Sequence, residues 1–331
     1  MLAADPAAPA IAWQESTNMP ECRDGYAAGT IDGRLIIIGG VYWEGSKGDW
    51  QRKVFSATTH AFDPRTQVWE KLGDAPVTFA YPAMAQVGEK IFIIGGNQNG
   101  EPSRDVYVFH RVDGKFRCEL HSRLPEPRLF ASAVVVGSKI HVIGGAREYE
   151  PFDQKGHCCT SRTATNGGWV LDTADASRTW KPLPDYPGEP RWLQSAAAAG
   201  TDIYLFGGIC LLAQSEPAKK FNDVLRYDSA WGAWTRVGGL PESLQSAAAV
   251  SVAGRIILVG TQRHAMSFEP KTGAFSALDP LPRDAMVTQF LWIDPMLVGA
   301  GGENTLDGPR RRSEWTFIGR PNAALLGRPA R

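Results

Sequence analysis

The chain has 331 residues, with 35 Lys+Arg against 35 Asp+Glu, so its formal net charge is zero. Charged residues are 21% and hydrophobic ones 43%, the balance of a folded chain. A neutral chain also lacks the broadly basic surface that nucleic acid binding needs. The excess lies in 35 Gly, 23 Pro and 11 Trp, and Gly and Pro at this frequency mark many turns between many short strands.

Residues 1–10, Met-Leu-Ala-Ala-Asp-Pro-Ala-Ala-Pro-Ala, lack the basic and apolar regions of an intact secretory signal. They read as a disordered leader or as the remnant of a processed signal. The most apolar stretch, Ala247 to Gly260, is interrupted by Ser251 and Arg255, so no membrane helix and no membrane partner are expected. Five cysteines, Cys22, Cys118, Cys158, Cys159 and Cys210, are odd in number and irregular in spacing, which gives no disulfide framework. His157-Cys158-Cys159 has no second pair nearby in sequence, so no metal and no cofactor are expected.

A repeat organises the rest. An apolar strand ending in glycine recurs: Gly33-Arg-Leu-Ile-Ile-Ile-Gly39-Gly40, Gly88 to Gly96, Gly137 to Gly145 and Gly200 to Gly208. Two weaker copies end at Gly260 and at Gly301-Gly302. Each unit then has a variable loop, a strand ending near an aromatic and an acidic residue (Phe62-Asp63, Tyr227-Asp228), and an aromatic strand (Trp69, Phe116, Trp180, Trp234, Phe275). Leu-Pro pairs such as Leu124-Pro125 and Leu240-Pro241 lead into the next unit.

These repeats resemble the kelch family across residues 11 to about 318. The resemblance implies an all-β fold, a six-bladed kelch β-propeller of four-stranded blades. Ile11-Ala-Trp13-Gln-Glu15 reads as a fourth strand without a blade, and Ser313 to Ile318 as a third strand without a fourth. The N-terminal strand is therefore expected to close the last blade. The expected organisation is a leader at 1–10, a single propeller at 11–318 and a C-terminal tail at 319–331.

One mouth of such a ring is built from the loops between strands 2 and 3, placed at 41–53, 97–103, 146–166, 209–221, 261–263 and 301–312, and from the lead-ins to each strand 1. Arg23, Arg128 and Arg191 stand at three lead-ins. They read either as a repeated structural cap or as a cationic ring for an anionic ligand, whose carboxylate suits the planar guanidinium. Tyr81 and Gln245 at other lead-ins, and Asn97 at a loop start, are further candidates for ligand contact. The loop at 41–53, with Trp43 and Glu44, mixes aromatic and polar groups as sugar sites do; a decorated surface loop is the plainer reading. Glu303 follows Gly301-Gly302 close to the expected channel, where burial raises a carboxyl pKa. Arg310, Arg311 and Arg312 end the same loop, as partners for Glu303 or as a solvated charge run.

Within the kelch proteins the sialic acid mutarotases are the better comparison. Ile203 to Gly208 followed by Phe221-Asn222-Asp223-Val224, Gly302-Glu303 with Arg310 to Arg312, and Gly39-Gly40-Val-Tyr-Trp43-Glu44-Gly45-Ser46 resemble their blades in cyclically shifted order. That resemblance implies an N-acetylneuraminate epimerase-like isomerase in the periplasm or secreted, acting on a small sugar acid. Glu303 would be the acid–base group, one of Arg310–Arg312 its partner, and Arg23, Arg128 or Arg191 the holder of the carboxylate. The alternative expectation is a non-catalytic propeller that binds a carbohydrate or a protein partner.

Overall fold

Strands of unbroken apolar residues, such as Leu35-Ile-Ile-Ile38, cannot face water on either side, because successive side chains point to opposite faces. The computed structural model describes residues 9–44, 52–148, 162–211, 217–304 and 311–327. Among them the chain is all-β, with one 3-10 turn at Thr261–Arg263. His157, Cys158, Cys159 and Arg310 lie outside the described residues.

Six four-stranded antiparallel sheets follow one another along the chain. Sheet 1 holds Ala27–Ile31, Arg34–Ile38, Thr58–Asp63 and Val68–Asp74; sheet 2 runs from Ala83–Val87 to Lys115–Arg123. Sheet 3 runs from Ser132–Val136 to Lys181–Leu183, sheet 4 from Ser195–Ala199 to Ala233–Gly239, and sheet 5 from Ala248–Val252 to Ala274–Ala277. Sheet 6 has Gln289–Ile293, Met296–Ala300 and Thr316–Pro321, and its fourth strand is Ile11–Ser16, paired from Ile11↔Pro321 to Ser16↔Thr316. The last strand therefore runs to Pro321, and beyond it Leu325 and Leu326 pack against the core.

The core is divided among the gaps between sheets. Ile36 and Ile38 pack with Ile91 and Ile93 of sheet 2. Their neighbours Leu35 and Ile37 pack with Val298 and Ile318 of sheet 6. The same alternation joins sheets 2 and 3 through Ile94 and Val142, 3 and 4 through Ile143 and Leu205, 4 and 5 through Phe206 and Leu258, and 5 and 6 through Val259 and Leu297. Each middle strand is thus fully buried on both faces, which explains its apolar run.

The aromatic strand of each unit closes its own sheet. Ring centroids lie 5.0 Å apart for Phe62–Trp69, 5.4 Å for Phe109–Phe116, 5.1 Å for Tyr227–Trp234 and 4.9 Å for Phe268–Phe275. Four indoles also reach toward the preceding sheet: Trp13 donates to the Asp279 carbonyl, Trp69 to the Thr17 carbonyl, Trp180 to Ser122 Oγ and Trp234 to the Pro184 carbonyl. The tryptophans therefore seal outer edges, where a polar N–H can still find an acceptor.

The glycine pairs form a second repeated joint. The N–H of Gly40 donates to the carbonyl of Phe79, Gly96 to Arg128, Gly145 to Arg191, Gly208 to Leu244 and Gly302 to Arg23, over 2.6–3.2 Å. Each bond runs from one sheet to the lead-in of the next. Gly207 shows why the preceding residue has no side chain: its φ is 56°, and a Cβ there would sit 2.3 Å from the Leu244 carbonyl oxygen.

Gly207→Ala should cost about 2–5 kcal/mol, from the left-handed backbone plus the clash. Gly200→Ala, also at positive φ but with nothing within 4 Å of the added carbon, should cost only about 1–2 kcal/mol. Urea unfolding of both variants measures the difference, and equal losses would refute this role for the joint.

His60, His121 and His141 are all held below the usual imidazole pKa of 6.5, with burial the first cause in each. Folded imidazoles that resist protonation leave the unfolded chain binding more protons, so stability falls as pH drops through that value. The melting temperature should be lower at about pH 5.5 than at about pH 7.5, and the gap should narrow in His141→Gln.

Candidate functional site

The residue two places after each of the five joint acceptors adopts the left-handed conformation, namely Gly25, Tyr81, Phe130, Leu193 and Ser246, and so does Val287 in the lead-in to sheet 6, with φ from 53° to 64°. Their backbones bond in series. Tyr81 N–H donates to Gly25, Phe130 to Tyr81, Ser246 to Leu193 and Val287 to Ser246. Two backbone arcs result, Gly25–Tyr81–Phe130 and Leu193–Ser246–Val287. A positive φ at Val287 is costly for a β-branched residue, and it is held by the flanking bonds of Met286 with Glu303.

One arc of this mouth is aromatic. Tyr81 and Phe130 lie 4.6 Å apart at 31°, and Phe130 meets Trp192 edge-on at 4.5 Å. Leu193, Ile209 and Ala218 extend the apolar surface beside them. Lys53 sits 5.0 Å from the Tyr81 ring centroid. Ser246 bonds both Leu193 and Val287 through its backbone, and Glu303 is bridged to Met286 beside Val287.

The three lead-in arginines are 1% exposed and lie within the rim. Arg23 donates from Nη1 to the Gly39 and Thr58 carbonyls, both at 3.0 Å, and pairs with Glu21. Arg191 donates to the Gly207 carbonyl at 3.2 Å, grips Asp223 with both Nη atoms, and lies 3.8 Å above the Phe221 ring. Each caps the glycine turn of its own sheet. Arg128 differs. Its Nη2 bonds Glu126 at 2.9 Å and its guanidinium sits 4.2 Å above Trp169, while Nε and Nη1 have no hydrogen-bond partner. Burial lowers its pKa to about 10.

Glu303 is 9% exposed and exchanges backbone bonds with Met286. The strand Arg311–Arg312 pairs with Glu303–Asn304, Glu303 opposite Arg312 and Asn304 opposite Arg311 along the backbone. Asn97, one place after its glycine pair as Glu303 is, is fully buried, and both side-chain polar atoms lack a partner. Gln245 lies at the rim with Oε1 unpartnered. Glu44 stands apart on the exposed hairpin Val41–Glu44/Arg52–Phe55, where Arg52 binds both of its oxygens and holds its pKa down. Trp43 lies on the same hairpin strand.

Tyr81 and Gln245 stand at lead-ins to sheets 2 and 5, and Asn97 and Glu303 each follow a glycine pair, whereas Glu44 lies on a hairpin beyond its own. Phe130 and Trp192 are the mouth residues that the sequence reading did not single out for ligand contact. The available signal was positional: Phe130 stands two residues after Arg128, where Gly25 stands after Arg23.

Among known families, the KLHDC2/KLHL20/DRC7 Kelch-repeats domain matches residues 83–280, and the Kelch motif matches residues 22–76. Beta-scruin of Limulus polyphemus is 24% identical over 253 residues, 72% of this chain and 24% of that protein. Kelch-like protein 38 of Rattus norvegicus is 24% identical over 241 residues, 70% of this chain and 35% of its own length. An N-acetylneuraminate epimerase of Yersinia enterocolitica is 32% identical over 101 residues, 30% of this chain and 26% of that enzyme. The matched regions span about a quarter to a third of these relatives.

Removing Arg191 leaves the Asp223 carboxylate, 16% exposed, without its cation, so Arg191→Met should cost about 3–5 kcal/mol. Arg128→Met removes a buried cation with two idle donors and should cost less than about 1.5 kcal/mol. Chemical denaturation compares the two; equal costs would contradict the difference in partnering.

Proposed function

We propose that this chain, which belongs to the kelch-repeat family, is a six-bladed propeller that binds a partner molecule at its loop-bearing mouth without turning it over. The six sheets would be six blades of one domain, closed where Ile11–Ser16 completes the last sheet. The division of the core supports that reading, since its clusters join each sheet to the next and sheet 6 to sheet 1.

The observation that carries the binding reading is the aromatic arc of Tyr81, Phe130 and Trp192 at the mouth. Tyr81 and Phe130 are half-buried, and each is held in a left-handed backbone conformation. Partly exposed aromatics on a rigid ring offer a large contact area at low entropic cost. Arg23 and Arg191 are already committed to carbonyls and carboxylates, which favours the structural reading of those two over a free cationic ring. The similarity to scruin and kelch-like proteins, over 70–72% of this chain, points the same way.

A second reading keeps a sugar acid as the ligand and Glu303 as an acid–base group for anomer exchange. It rests on the register that puts Arg312 opposite the buried Glu303, and on the partial likeness to N-acetylneuraminate epimerases. In that chemistry a base takes the anomeric hydroxyl proton while an acid protonates the ring oxygen; closure on the other face reverses both transfers.

Two measurements separate the readings. NMR of N-acetylneuraminate should show α-to-β exchange at its spontaneous rate with the protein present. A panel of peptides and oligosaccharides should yield a ligand whose affinity falls at least about tenfold in Phe130→Ala, with the melting temperature retained. Accelerated exchange that Glu303→Gln abolishes would replace the binding reading with the catalytic one.

A further inference from the structure

Asparagine is followed by glycine twice in the chain, at Asn99-Gly100 and at Asn166-Gly167. Such a pair is open to one reaction of the chain on itself. The glycine amide nitrogen attacks the side-chain carbonyl carbon of the asparagine and expels ammonia. Glycine favours the attack because no side chain crowds its nitrogen. Three groups decide the outcome: the attacking N–H, the carbonyl attacked and the amide that leaves. The fold holds them in opposite ways at the two pairs.

At Asn166 they are engaged. The leaving Nδ2 donates to the Tyr186 carbonyl at 3.0 Å, and the attacking Gly167 N–H donates to Thr165 Oγ1 at 3.1 Å. The pair runs directly into the strand Gly168–Asp172 of sheet 3. A Cβ on Gly167 would stand 2.8 Å from Asp185 Oδ1, so the site is closely packed.

At Asn99 they are free to react. Among the described residues, neither the Gly100 N–H nor Asn99 Nδ2 has a hydrogen-bond partner. Asn99 Oδ1 accepts the Thr78 N–H at 3.1 Å, and the Asn99 N–H donates to Thr78 Oγ1 at 2.9 Å. The bond to Oδ1 falls where negative charge develops during the attack, so it polarises the carbonyl as an oxyanion donor does. Both residues are exposed, with φ of 53° and 93°, the pattern of a type I′ turn. Their tip extends beyond the short ladder of Phe79–Ala80, Asn97–Gln98 and Glu101–Pro102. Rotating Asn99 so that the Gly100 nitrogen meets Cγ therefore opens a turn and leaves sheet 2 in place. Asn97 in the same loop is fully buried, and the Gln98 side chain crowds the nitrogen that follows it.

We propose that Asn99 is a site of spontaneous covalent modification in the folded protein. A base takes the Gly100 N–H proton as the N–Cγ bond forms. The Cγ–Nδ2 bond then breaks, and the proton ends on the departing ammonia. Water opens either carbonyl of the resulting cyclic succinimide and leaves aspartate or isoaspartate. Water is the sole co-reactant. Each product places a new carboxylate near Glu101, and isoaspartate also adds a methylene to the main chain, which breaks the register of Gln98 with Glu101. The site is independent of whether the mouth binds or turns over its ligand. Because Thr78 precedes Tyr81 in the same lead-in, the change also loosens the support of the aromatic arc.

The test ages the whole folded protein in mildly alkaline buffer and digests samples with trypsin. Cleavage after Lys90 and Arg104 releases the Asn99 peptide, and cleavage after Arg162 and Arg178 releases the Asn166 peptide. Mass spectrometry follows the exchange of amide for acid, with fragmentation to separate Asn97 from Asn99. Labelling with S-adenosylmethionine and an isoaspartate-specific methyltransferase counts the isoaspartate. Product at Asn99 should build up at least about tenfold faster than at Asn166, since only the tip opens locally. In unfolding concentrations of urea the two should react at comparable rates, because the fold alone distinguishes them. Asn99→Gln should remove the methylation signal from the folded protein and retain its melting temperature. Comparable rates at both pairs in the folded protein would overturn the proposal. So would an Asn99 that stays intact while the unfolded chain reacts, or a methylation signal that survives Asn99→Gln.

Discussion

Everything at the mouth depends on one repeated hydrogen bond, from the second glycine of a pair to the carbonyl that leads into the next sheet. The bond requires two backbones to meet where a Cβ on the first glycine would touch the acceptor, as at Gly95, 2.4 Å from the Arg128 carbonyl oxygen. It also needs positive φ at both glycines, a conformation that L side chains resist. The residues that follow the acceptors take left-handed turns and bond one another in two arcs. Sheet 5 supports the rule through its exception: with one glycine, it uses the Asp284 side chain as acceptor instead.

The joint also explains why charged groups at the rim are poor guides to a ligand. Arg23 and Arg191 sit beside the glycine turns because the turn carbonyls need donors, and Glu21 and Asp223 balance their charge. Arg128 departs from this pattern by stacking on Trp169 in place of a carbonyl contact. Arg23, Arg128 and Arg191 each have a carboxylate within ion-pair distance, so their charge is locally balanced.

Repeat length, strand positions and the all-β class were legible because both faces of each middle strand are buried, which writes a run such as Leu35-Ile-Ile-Ile38 next to obligatory glycines. The pairing of Ile11–Ser16 with the last sheet was also legible, since each terminal segment carried one unmatched strand pattern. The mouth was only partly so. Tyr81, Asn97 and Gln245 stood out by position, but nothing in the identity of Phe130, Leu193 or Val287 announces a positive φ, because the flanking interstrand bonds impose it. Glu44 was drawn toward the site by its aromatic neighbours, yet its strand projects into an exposed hairpin where Arg52 neutralises it. Strand pattern cannot register how far a loop carries a residue from the axis.

Amide hydrogen exchange, read residue by residue by NMR, tests the central claim most directly. If the glycine joints hold the ring, the N–H groups of Gly40, Gly96, Gly145, Gly208 and Gly302 should exchange only through global unfolding, with the same free energy as the core amides of Ile36 and Ile93. Exchange of those five glycines through local opening, at the rate of the Gly232 turn, would contradict it.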